Sequence, residues 1–448
     1  MTAPILIIFG ITGDLSKRKL LPALYHIFSQ GLIPPETKII GVSRHPLNID
    51  ELLSSIELCV LAKDKVCDPS ILKLLRQAID TFKLDPSKPE DYKLLQQKLD
   101  NIDTEKTKKM LFYMSIPPSA YAPIVDNLGK VGLNHERCRL VLEKPFGYDL
   151  QSAKELITLA DKSFSEHQIY RTDHYLAKET AQNLLTFRLY NPIFSTLWNA
   201  AHIESVHIRA IEKINIEGRK DFYENTGALR DLIQSHLMQL LALSLMDLPS
   251  NLSSDQIHKS KQDFLEQLMP ADPALALRAQ YDSYTREVDN PKSSVETFVR
   301  LHLKHASSRW QGVDIILETG KALNLKDTSI TVKFKTPANH PNNNLHFAIQ
   351  PDEGITLDLV VKEPGFAGHI INKSLSFDYK KSFLAQQHID AYERVIIDSI
   401  NGDQALFASA GEVLATWHVL QPLLDAWQKE GAGGLVLYPN GSTPSEII

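Results

Sequence analysis

The sequence predicts a doubly wound parallel α/β sheet in residues 1–172, followed by a larger α+β domain with a mostly antiparallel sheet in residues 173–448. At 448 residues the chain exceeds what one hydrophobic core usually organises, so two domains are expected. The continuous apolar run Ile5–Phe9 ends at a glycine turn and precedes a helical pattern, which is typical of a central parallel strand. In the second half, apolar and polar residues alternate with period two from Val295 to Val361, as half-buried antiparallel strands do.

Composition excludes several classes of protein. The net charge is −6 and the sequence has no basic stripe, so we do not expect nucleic acid as a partner. The first apolar run is too short to span a bilayer and lacks a basic flank, so we expect neither a membrane segment nor a targeting signal. Cys59, Cys67 and Cys138 form no CxxC pair, which favours reduced thiols in a cytoplasmic protein. We predict no metal site.

The turn after the first strand predicts a phosphate-binding entry of the dinucleotide-binding, or Rossmann, type. Glycines let backbone N–H groups approach a pyrophosphate, and the N-terminus of the helix Ser16–Ser29 favours its negative charge. A simple turn is the alternative, since the G-x-x-G spacing alone is weak. The predicted cofactor contacts in this turn are Gly10, Thr12, Gly13, Asp14 and Leu15.

The end of the second strand indicates which dinucleotide is bound. The strand Lys38–Val42 leads to Ser43-Arg44-His45, where an NAD-binding unit usually carries an acid. An arginine there pairs with the 2′-phosphate of NADP. We therefore predict NADP, with Thr12 and Arg44 as contacts of its 2′-phosphate. The alternative for Arg44 is a solvated loop cation.

Two further strands end in stretches that fit a ligand site. Met110–Met114 leads to a proline pair, and we predict that Tyr113 and Pro117 contact the cofactor. The strand at residues 139–142 leads to Glu143-Lys144-Pro145, which places Lys144 at the carboxyl end of a strand, where open α/β sheets bind ligands. Lys144 can bridge substrate and cofactor, and Pro145 is expected in the cis form. The polar stretch from Asp64 to Lys109 is interpreted as a solvated, helical insertion.

The segment Arg171–Glu179 combines a carboxylate, an imidazole, a phenol and two cations directly after a short apolar strand. A site that binds a phosphorylated polyol and orients a base uses all of these groups. The segment, RTDHYLAKE, resembles the RIDHYLGKE signature of the glucose-6-phosphate dehydrogenase family, with Thr172 in place of Ile and Ala177 in place of Gly.

The resemblance to this family extends over nearly the whole chain. GITGDLSKRKLLP is similar to the family's GxxGDLxxRKLxP, and EKPFG matches at every position. The stretch from Gly218 to His236 resembles EGRxxFYDxxGALRDxxQNH, with Ser235 replacing Asn. Gly320 begins a GKxL turn, and the C-terminal YPNGSTP is one residue shorter than the family's YxxGSxGP.

The resemblance implies a reaction and a set of roles. The reaction is the oxidation of D-glucose 6-phosphate at C1 to 6-phospho-glucono-1,5-lactone, with hydride transfer to NADP⁺. A base must remove the hydroxyl proton, and imidazole titrates near neutral pH. By resemblance His236 is that base and Asp173 the carboxylate that orients it. The resemblance further implies a homodimer or homotetramer and these substrate-binding residues: His174, Tyr175, Lys178, Lys144, Glu212, Asp231, Lys321 and Lys326.

Several alternatives stay open on the sequence alone. His236 also fits a buried core histidine, and Glu212 also fits an exposed acid at a strand end. Glu318 stands where the family has Arg; this charge reversal is either a local change of ion pair or a weakening of substrate binding. Two other functions remain: a related NAD(P)-dependent dehydrogenase of another hexose or hexose phosphate, and a non-catalytic binding protein that retained the fold.

Overall fold

The computed structural model of the protein describes residues 2–61, 67–337, 340–366, 368–383, 389–431 and 433–448. Their contacts form two compact units. The first unit comprises residues 1–147, 151–177 and 388–410, and the second comprises 148–150, 178–387 and 411–448. Residues 388–410, which the sequence prediction assigns to the second domain, pack with the first unit. The predicted boundary at residue 172 stays a prediction.

The strands follow one another along the chain as β1 (Ile5–Phe9), β2 (Lys38–Ser43), β3 (Ile79–Lys83), β4 (Met110–Met114), β5 (Cys138–Leu142), β6 (Ile169–Thr172), β7 (Ile203–Ile211), β8 (Ala276–Tyr281), β9 (Phe298–Leu303), β10 (Asp314–Gly320), β11 (Asp327–Phe334), β12 (Asn344–Gln350), β13 (Gly354–Lys362), β14 (Ile370–Asp378), β15 (Phe407–Ala408) and β16 (Leu435–Tyr438).

The α-helices are α1 (Leu21–Ser29), α2 (Ile49–Leu61), α3 (Pro69–Ala78), α4 (Pro89–Ile102), α5 (Tyr121–Lys130), α6 (Leu150–Asp161), α7 (Glu179–Tyr190), α8 (Pro192–Ser195), α9 (Lys220–Ala228), α10 (Met238–Leu245), α11 (Ser254–Leu265), α12 (Tyr284–Glu287), α13 (Tyr379–Ser382), α14 (Ala391–Asn401) and α15 (Ala410–Glu430). Two π-helical segments, Ser16–Leu20 and Leu229–Leu237, lead directly into α1 and α10. Among the described residues, no helix is both long and apolar enough to cross a bilayer.

The first unit contains the predicted parallel sheet. Its strand order is β15-β6-β5-β4-β1-β2-β3, and all neighbours are parallel except the short edge strand β15. This is the order of a doubly wound dinucleotide-binding sheet. β1 and β4 are fully buried, as their continuous apolar sequences predict. The helix α14, from the segment 388–410, packs against α1 and completes the apolar core beside the sheet.

The interpretation of residues 64–109 as a helical insertion is wrong in part. Helices α3 and α4 are present, but β3 lies between them and extends the parallel sheet beside β2. β3 is an edge strand, and its residues Asp80 and Lys83 are exposed, so it lacks the apolar run of a central strand. Residues 64–66 lie outside the described part of the chain.

The second unit contains the predicted, mostly antiparallel sheet. Its strand order is β14-β13-β12-β11-β7-β10-β9-β8-β16; the pairs β7–β10 and β8–β16 are parallel, and the others are antiparallel. In β7, Val206, Ile208 and Ala210 are buried, while His207 and Arg209 face the less buried side. This alternation confirms the period-two prediction for half-buried strands. Neither Cys67 nor Cys138 forms a disulfide, and the side chain of Cys59 lies outside the described structure.

Gly10, at the end of β1, must be glycine for two reasons. Its φ is +76°, and an added Cβ would collide with the carbonyl oxygen of Ser115 and lie 2.6 Å from Cγ2 of Ile116. A side chain there needs both a left-handed backbone and a movement of the neighbouring turn.

We expect Gly10→Ala to lower the free energy of unfolding by about 2–4 kcal/mol, because strain in φ adds to the collision. Gly132→Ala is the matched control: its φ is +75°, but an added Cβ meets nothing within 4 Å. Its cost should be only about 1 kcal/mol. Urea unfolding measures both values, and equal losses in the two variants would contradict the collision at Gly10.

Candidate functional site

The turn after β1 has the geometry of an anion-binding loop. The N–H of Gly13 donates to the carbonyl oxygen of Gly10 at 2.9 Å, which closes the turn. The hydroxyl of Ser16 donates to the same oxygen at 3.0 Å, and Ser16 Oγ lies 2.9 Å from Ser115 Oγ, within hydrogen-bond distance. No side-chain cap binds the start of the helical segment Ser16–Leu20. The N–H of Lys17 donates to the carbonyl oxygen of Gly13 at 3.0 Å, and the start of a helical segment favours negative charge such as that of a phosphate.

The other predicted contacts of this turn differ in exposure. Thr12 and Asp14 are exposed, Gly13 and Leu15 are half-buried, and Asp14 forms an exposed ion pair with Arg18 at 2.7 Å. The turn can thus offer backbone donors and the Thr12 hydroxyl without rearranging buried side chains.

Arg44 is exposed just beyond the carboxyl end of β2. The pKa of the nearby Asp85 is lowered chiefly by hydrogen bonds from Ser87 and additionally by the charges of Lys88 and Arg44. The charge of Arg44 thus acts on the Asp85 carboxylate, while Arg44 itself stays exposed to solvent. An exposed guanidinium of this kind can bind an anion.

The carboxyl ends of β4 and β5 carry a buried acid that sequence reasoning did not select. The hydroxyl of Tyr113 donates to the carboxylate of Glu143, and the hydroxyl of Tyr121 donates to the carbonyl oxygen of Glu143 at 3.0 Å. Burial raises the pKa of Glu143 to about 7; the Tyr113 hydrogen bond and the charge of Lys144 oppose this rise, and Asp173 adds to it. Lys144 is half-buried, and the Lys144–Pro145 bond is cis, as predicted.

The segment after β6 is held by its own backbone. Asp173 is 2% exposed, and its Oδ1 accepts the N–H of Tyr175 at 3.0 Å. The half-buried ring of His174 lies edge-on to Tyr175 with 5.1 Å between centroids, and stacks on Tyr392 at 6.1 Å. The pKa of Tyr392 is raised by burial and by the charges of Glu143, Asp390 and Asp173, so its hydroxyl stays neutral.

The structure thus brings Glu143, Lys144, Asp173, His174 and Tyr392 into one region of the first unit. Tyr392 was not among the predicted site residues. Its signal in the sequence was the family-like Tyr392-Glu393-Arg394 stretch, which gives no indication of where it packs.

In the second unit, Lys321 and Glu212 form an ion pair. Lys321 is 2% exposed, and its Nζ lies 5.5 Å from the centroid of the Tyr223 ring. Tyr438 donates its hydroxyl to the carbonyl oxygen of Lys321 at 2.7 Å. The C-terminal strand therefore helps to place Lys321, a role that local sequence patterns did not reveal.

Asp231 and His236 lie on the π-helical segment Leu229–Leu237, and both are buried, His236 completely. Gly227, with φ +64°, breaks the helix before this segment. There Glu296 accepts the N–H of Leu229 through its carboxylate and the N–H of Ala228 through its carbonyl oxygen, each at 2.9 Å. Such π-helical turns are rare and often occur at functional sites.

The charges of three acids of this unit act on the hydroxyl of Tyr223. Its pKa is raised far above the usual value, first by burial and then by the negative charges of Asp231, Glu296 and Glu212. A neutral hydroxyl surrounded by carboxylates, together with the ammonium group of Lys321, can donate hydrogen bonds to a polyhydroxylated ligand.

For the remaining predicted residues, the structure gives the position and the exposure. Lys178 is half-buried at the start of α7, and Lys326 is exposed before β11. Asp173 belongs to the first unit and His236 to the second, so their predicted pairing stays a prediction. Within the described ranges, no group of three or more His, Cys, Asp or Glu side chains could hold a metal ion.

The departures from the family signature are accommodated locally. Glu318 pairs across the sheet with Arg300 at 2.6 Å, and Arg300 also donates to the carbonyl oxygen of Pro444 at 2.7 Å. These contacts favour a local change of ion pair over a direct role with substrate. Thr172 and Ala177 are buried, and Ser235 donates to the carbonyl oxygen of Asp231 at 3.1 Å.

Glu143 should make stability depend on pH. Its pKa of about 7 in the folded chain exceeds the ordinary value of 4.5, so folding favours its protonated form. The corresponding stabilisation is fully present below about pH 4.5 and is lost as the pH rises through 7. From pH 5 to 8 we expect the native chain to lose up to about 3 kcal/mol of unfolding free energy relative to Glu143→Gln, which cannot ionise.

Urea unfolding of both proteins at several pH values measures this difference. Glu105→Gln, at an exposed position, is the control and should follow the native curve. Parallel curves for the native chain and Glu143→Gln would refute the shifted ionisation.

Two family models match the chain almost from end to end. The glucose-6-phosphate dehydrogenase NAD binding domain matches residues 7–183, and the glucose-6-phosphate dehydrogenase C-terminal domain matches residues 185–447. A glucose-6-phosphate 1-dehydrogenase of Chlamydia muridarum is 37% identical over 95% of this chain and 90% of its own length.

Solved structures agree with these matches. A glucose-6-phosphate dehydrogenase in complex with its substrate glucose 6-phosphate has a TM-score of 0.92 and 31% identity, covering 98% of this chain and 95% of that chain. The glucose-6-phosphate 1-dehydrogenase of Mycobacterium avium has a TM-score of 0.87 and 31% identity, covering 98% and 94%. The chain described here belongs to the glucose-6-phosphate dehydrogenase family.

Proposed function

We propose that the chain oxidises D-glucose 6-phosphate at C1 to 6-phospho-glucono-1,5-lactone and transfers the hydride to NADP⁺, as the first step of the oxidative pentose phosphate pathway. The observation that carries this proposal is the TM-score of 0.92, over 98% of the chain, to a glucose-6-phosphate dehydrogenase bound to this sugar phosphate. No described feature favours another hexose.

His236 is the proposed general base. It takes the proton of the C1 hydroxyl while the C1–H electron pair leaves as hydride and the C1–O bond becomes a carbonyl. A fully buried imidazole suits this task, because its protonated form is stabilised only by groups placed for it. Asp173 is proposed, from the family resemblance, as the carboxylate that stabilises the imidazolium.

The sugar hydroxyls and the phosphate need different partners. Glu212, Asp231 and Lys321 are proposed to bind the hydroxyls, and the ion pair of Lys321 with Glu212 in the second unit supports this proposal. His174, Tyr175 and Lys178 are proposed for the 6-phosphate, with Lys144 close to the reacting end. Lys326 is exposed and is proposed only as an outer cation for the phosphate.

The residues of the first unit fit NADP. Gly10 and Gly13 form the tight turn after β1, and Thr12 and Arg44 are exposed and accessible to a 2′-phosphate. Asp14, Leu15 and Pro117 are proposed to line the same site. Tyr113, whose buried hydroxyl donates to Glu143, is also proposed as a cofactor contact. When bound, NADP⁺ accepts the hydride that leaves C1.

We expect the purified protein to reduce NADP⁺ in the presence of glucose 6-phosphate, with a higher kcat/KM for NADP⁺ than for NAD⁺. Absorbance of the reduced cofactor measures both rates. Arg44→Ala should lower the NADP⁺-to-NAD⁺ ratio of kcat/KM about 10-fold or more, because one charge-assisted contact to the 2′-phosphate is lost while the nearby Asp85 remains.

Arg76→Ala is a suitable control, since it removes an exposed arginine, paired with Asp50, from the same unit. It should leave the cofactor ratio unchanged. Absence of turnover with either cofactor would refute the proposed reaction. Turnover with an unchanged ratio in Arg44→Ala would refute only the assignment of Arg44.

We also propose that the chain is a cytoplasmic homodimer or homotetramer. The strands β13 and β14, at the edge of the sheet, expose the apolar side chains of Val361, Leu375 and Phe377 on one face. Contiguous exposed apolar side chains on an edge strand usually mark an interface. Sedimentation equilibrium should give a multiple of the 50.4 kDa chain mass, and a monomer at micromolar concentration would overturn this proposal.

A further inference from the structure

A charged cluster of residues that are not proposed to bind the sugar lies buried in the second unit. Lys261 and Glu412 are both completely buried, and Lys261 Nζ lies 2.9 Å from Glu412 Oε2. His258 Nδ1 lies 2.7 Å from the other carboxylate oxygen, Oε1. Burying such groups is costly, and apolar residues of the same size would often be as stable. We therefore expect that this cluster has a role other than stabilising the fold.

The cluster is connected to the helix that carries His236. Lys261 Nζ donates to Gln239 Oε1 at 3.1 Å, and Gln239 lies three residues after His236. On the other side of His236, Gln234 Nε2 donates to Thr416 Oγ1 at 3.0 Å. Lys261 belongs to α11, whereas Glu412 and Thr416 belong to α15. Two glutamines thus tie the helix to the two helices that pack against it.

These ties restrict rotation of the helix about its own axis. A side-chain tip lies about 5–6 Å from a helix axis, so a rotation of about 10° moves it by about 1 Å. A displacement of about 1 Å at a reacting group can lower a rate about 100-fold. The two directed hydrogen bonds of Gln239 and Gln234 therefore restrict rotation of the helix in addition to its apolar packing.

We propose that the buried Lys261–Glu412 pair, acting through Gln239 together with the Gln234–Thr416 hydrogen bond, positions His236 for proton removal. This inference rests on the proposed role of His236. Lys261, Glu412, Gln239, Gln234 and Thr416 are positioning residues and contact neither substrate nor cofactor in this scheme.

The charge of Glu412 is constant over the pH range in which the enzyme is proposed to work. The neighbouring Lys261 and His258 hold the pKa of Glu412 at about 2, even though burial acts to raise it. Glu412 therefore stays ionised at every pH at which an imidazole base can work. Its contribution to stability is present above about pH 4.5 and is lost as the pH falls towards 2.

The experiment removes the hydrogen bonds of Gln239 and Gln234 and leaves the Lys261–Glu412 ion pair in place. Gln239→Leu and Thr416→Val each remove one tie, and the double variant removes both. We expect each to lower kcat about 10- to 100-fold. KM for both substrates should change less than about 2-fold, because binding groups are untouched. The deuterium isotope effect on kcat with C1-deuterated glucose 6-phosphate should be at least as large as in the native enzyme.

The decisive comparison places the same changes in a His236→Asn background. If the ties act through His236, they have nothing left to position, so Gln239→Leu and Thr416→Val should lower the residual rate less than 2-fold there. Equal losses in both backgrounds, or native kcat in the double variant, would overturn the proposal. A His236→Asn enzyme with native kcat would instead refute the base assignment.

Asp103→Asn controls for general destabilisation. It breaks the partly buried ion pair of Asp103 with Arg137, at 2.7 Å in the first unit, without touching the helix of His236. Its kcat per folded molecule, with the folded fraction taken from circular dichroism, should equal that of the native enzyme. A loss of kcat in this variant as large as that of Gln239→Leu would show that destabilisation alone explains the effect.

Discussion

The register of the parallel sheet is the constraint on which the first unit depends. Phe9, Met114, Leu142 and Arg171, at or next to the carboxyl ends of four neighbouring strands, lie in one row across the sheet. The residues that follow them therefore start from a common edge, although long stretches of chain separate them. A slip of one residue in any strand would shift its end by about 3.3 Å and reverse the faces of its side chains. This alignment determines the positions of three elements, which are the glycine turn, the Glu143-Lys144 pair and the Asp173 segment.

The second unit differs from the first, because it holds several charged side chains away from water. Lys321 is paired with Glu212, and the hydroxyl of Tyr223 remains neutral among carboxylates. Glu296 accepts N–H groups at the break before the His236 segment, so a buried acid stabilises a backbone that would otherwise lose hydrogen bonds there.

Local patterns predicted the elements whose environment is uniform along their length. The bounds of β1 and β4 coincide with apolar runs, because both faces of those strands are buried. β3 was missed because an exposed edge strand has no such run, and the packing of residues 388–410 with the first unit was missed because it depends on contacts distant in sequence.

The same limit applies to the candidate site. Motif residues such as Lys144, Asp173 and His236 could be selected from the sequence. Their supporting partners could not: Tyr438 reaches Lys321 from 117 positions away, and Tyr392 meets His174 only through folding. Glu318 could be recognised as a charge reversal, but its partner Arg300 becomes evident only when β9 and β10 are paired.

The π-helical segment Leu229–Leu237 also affects how related sequences should be aligned. A π-turn accommodates one more residue than an α-turn, so a chain lacking one residue here could form an ordinary helix without strain. Asp231 and His236, which lie five positions apart here, would then lie four positions apart and would still share one face of the helix. A one-residue alignment gap between these two positions is therefore compatible with the same placement of both side chains.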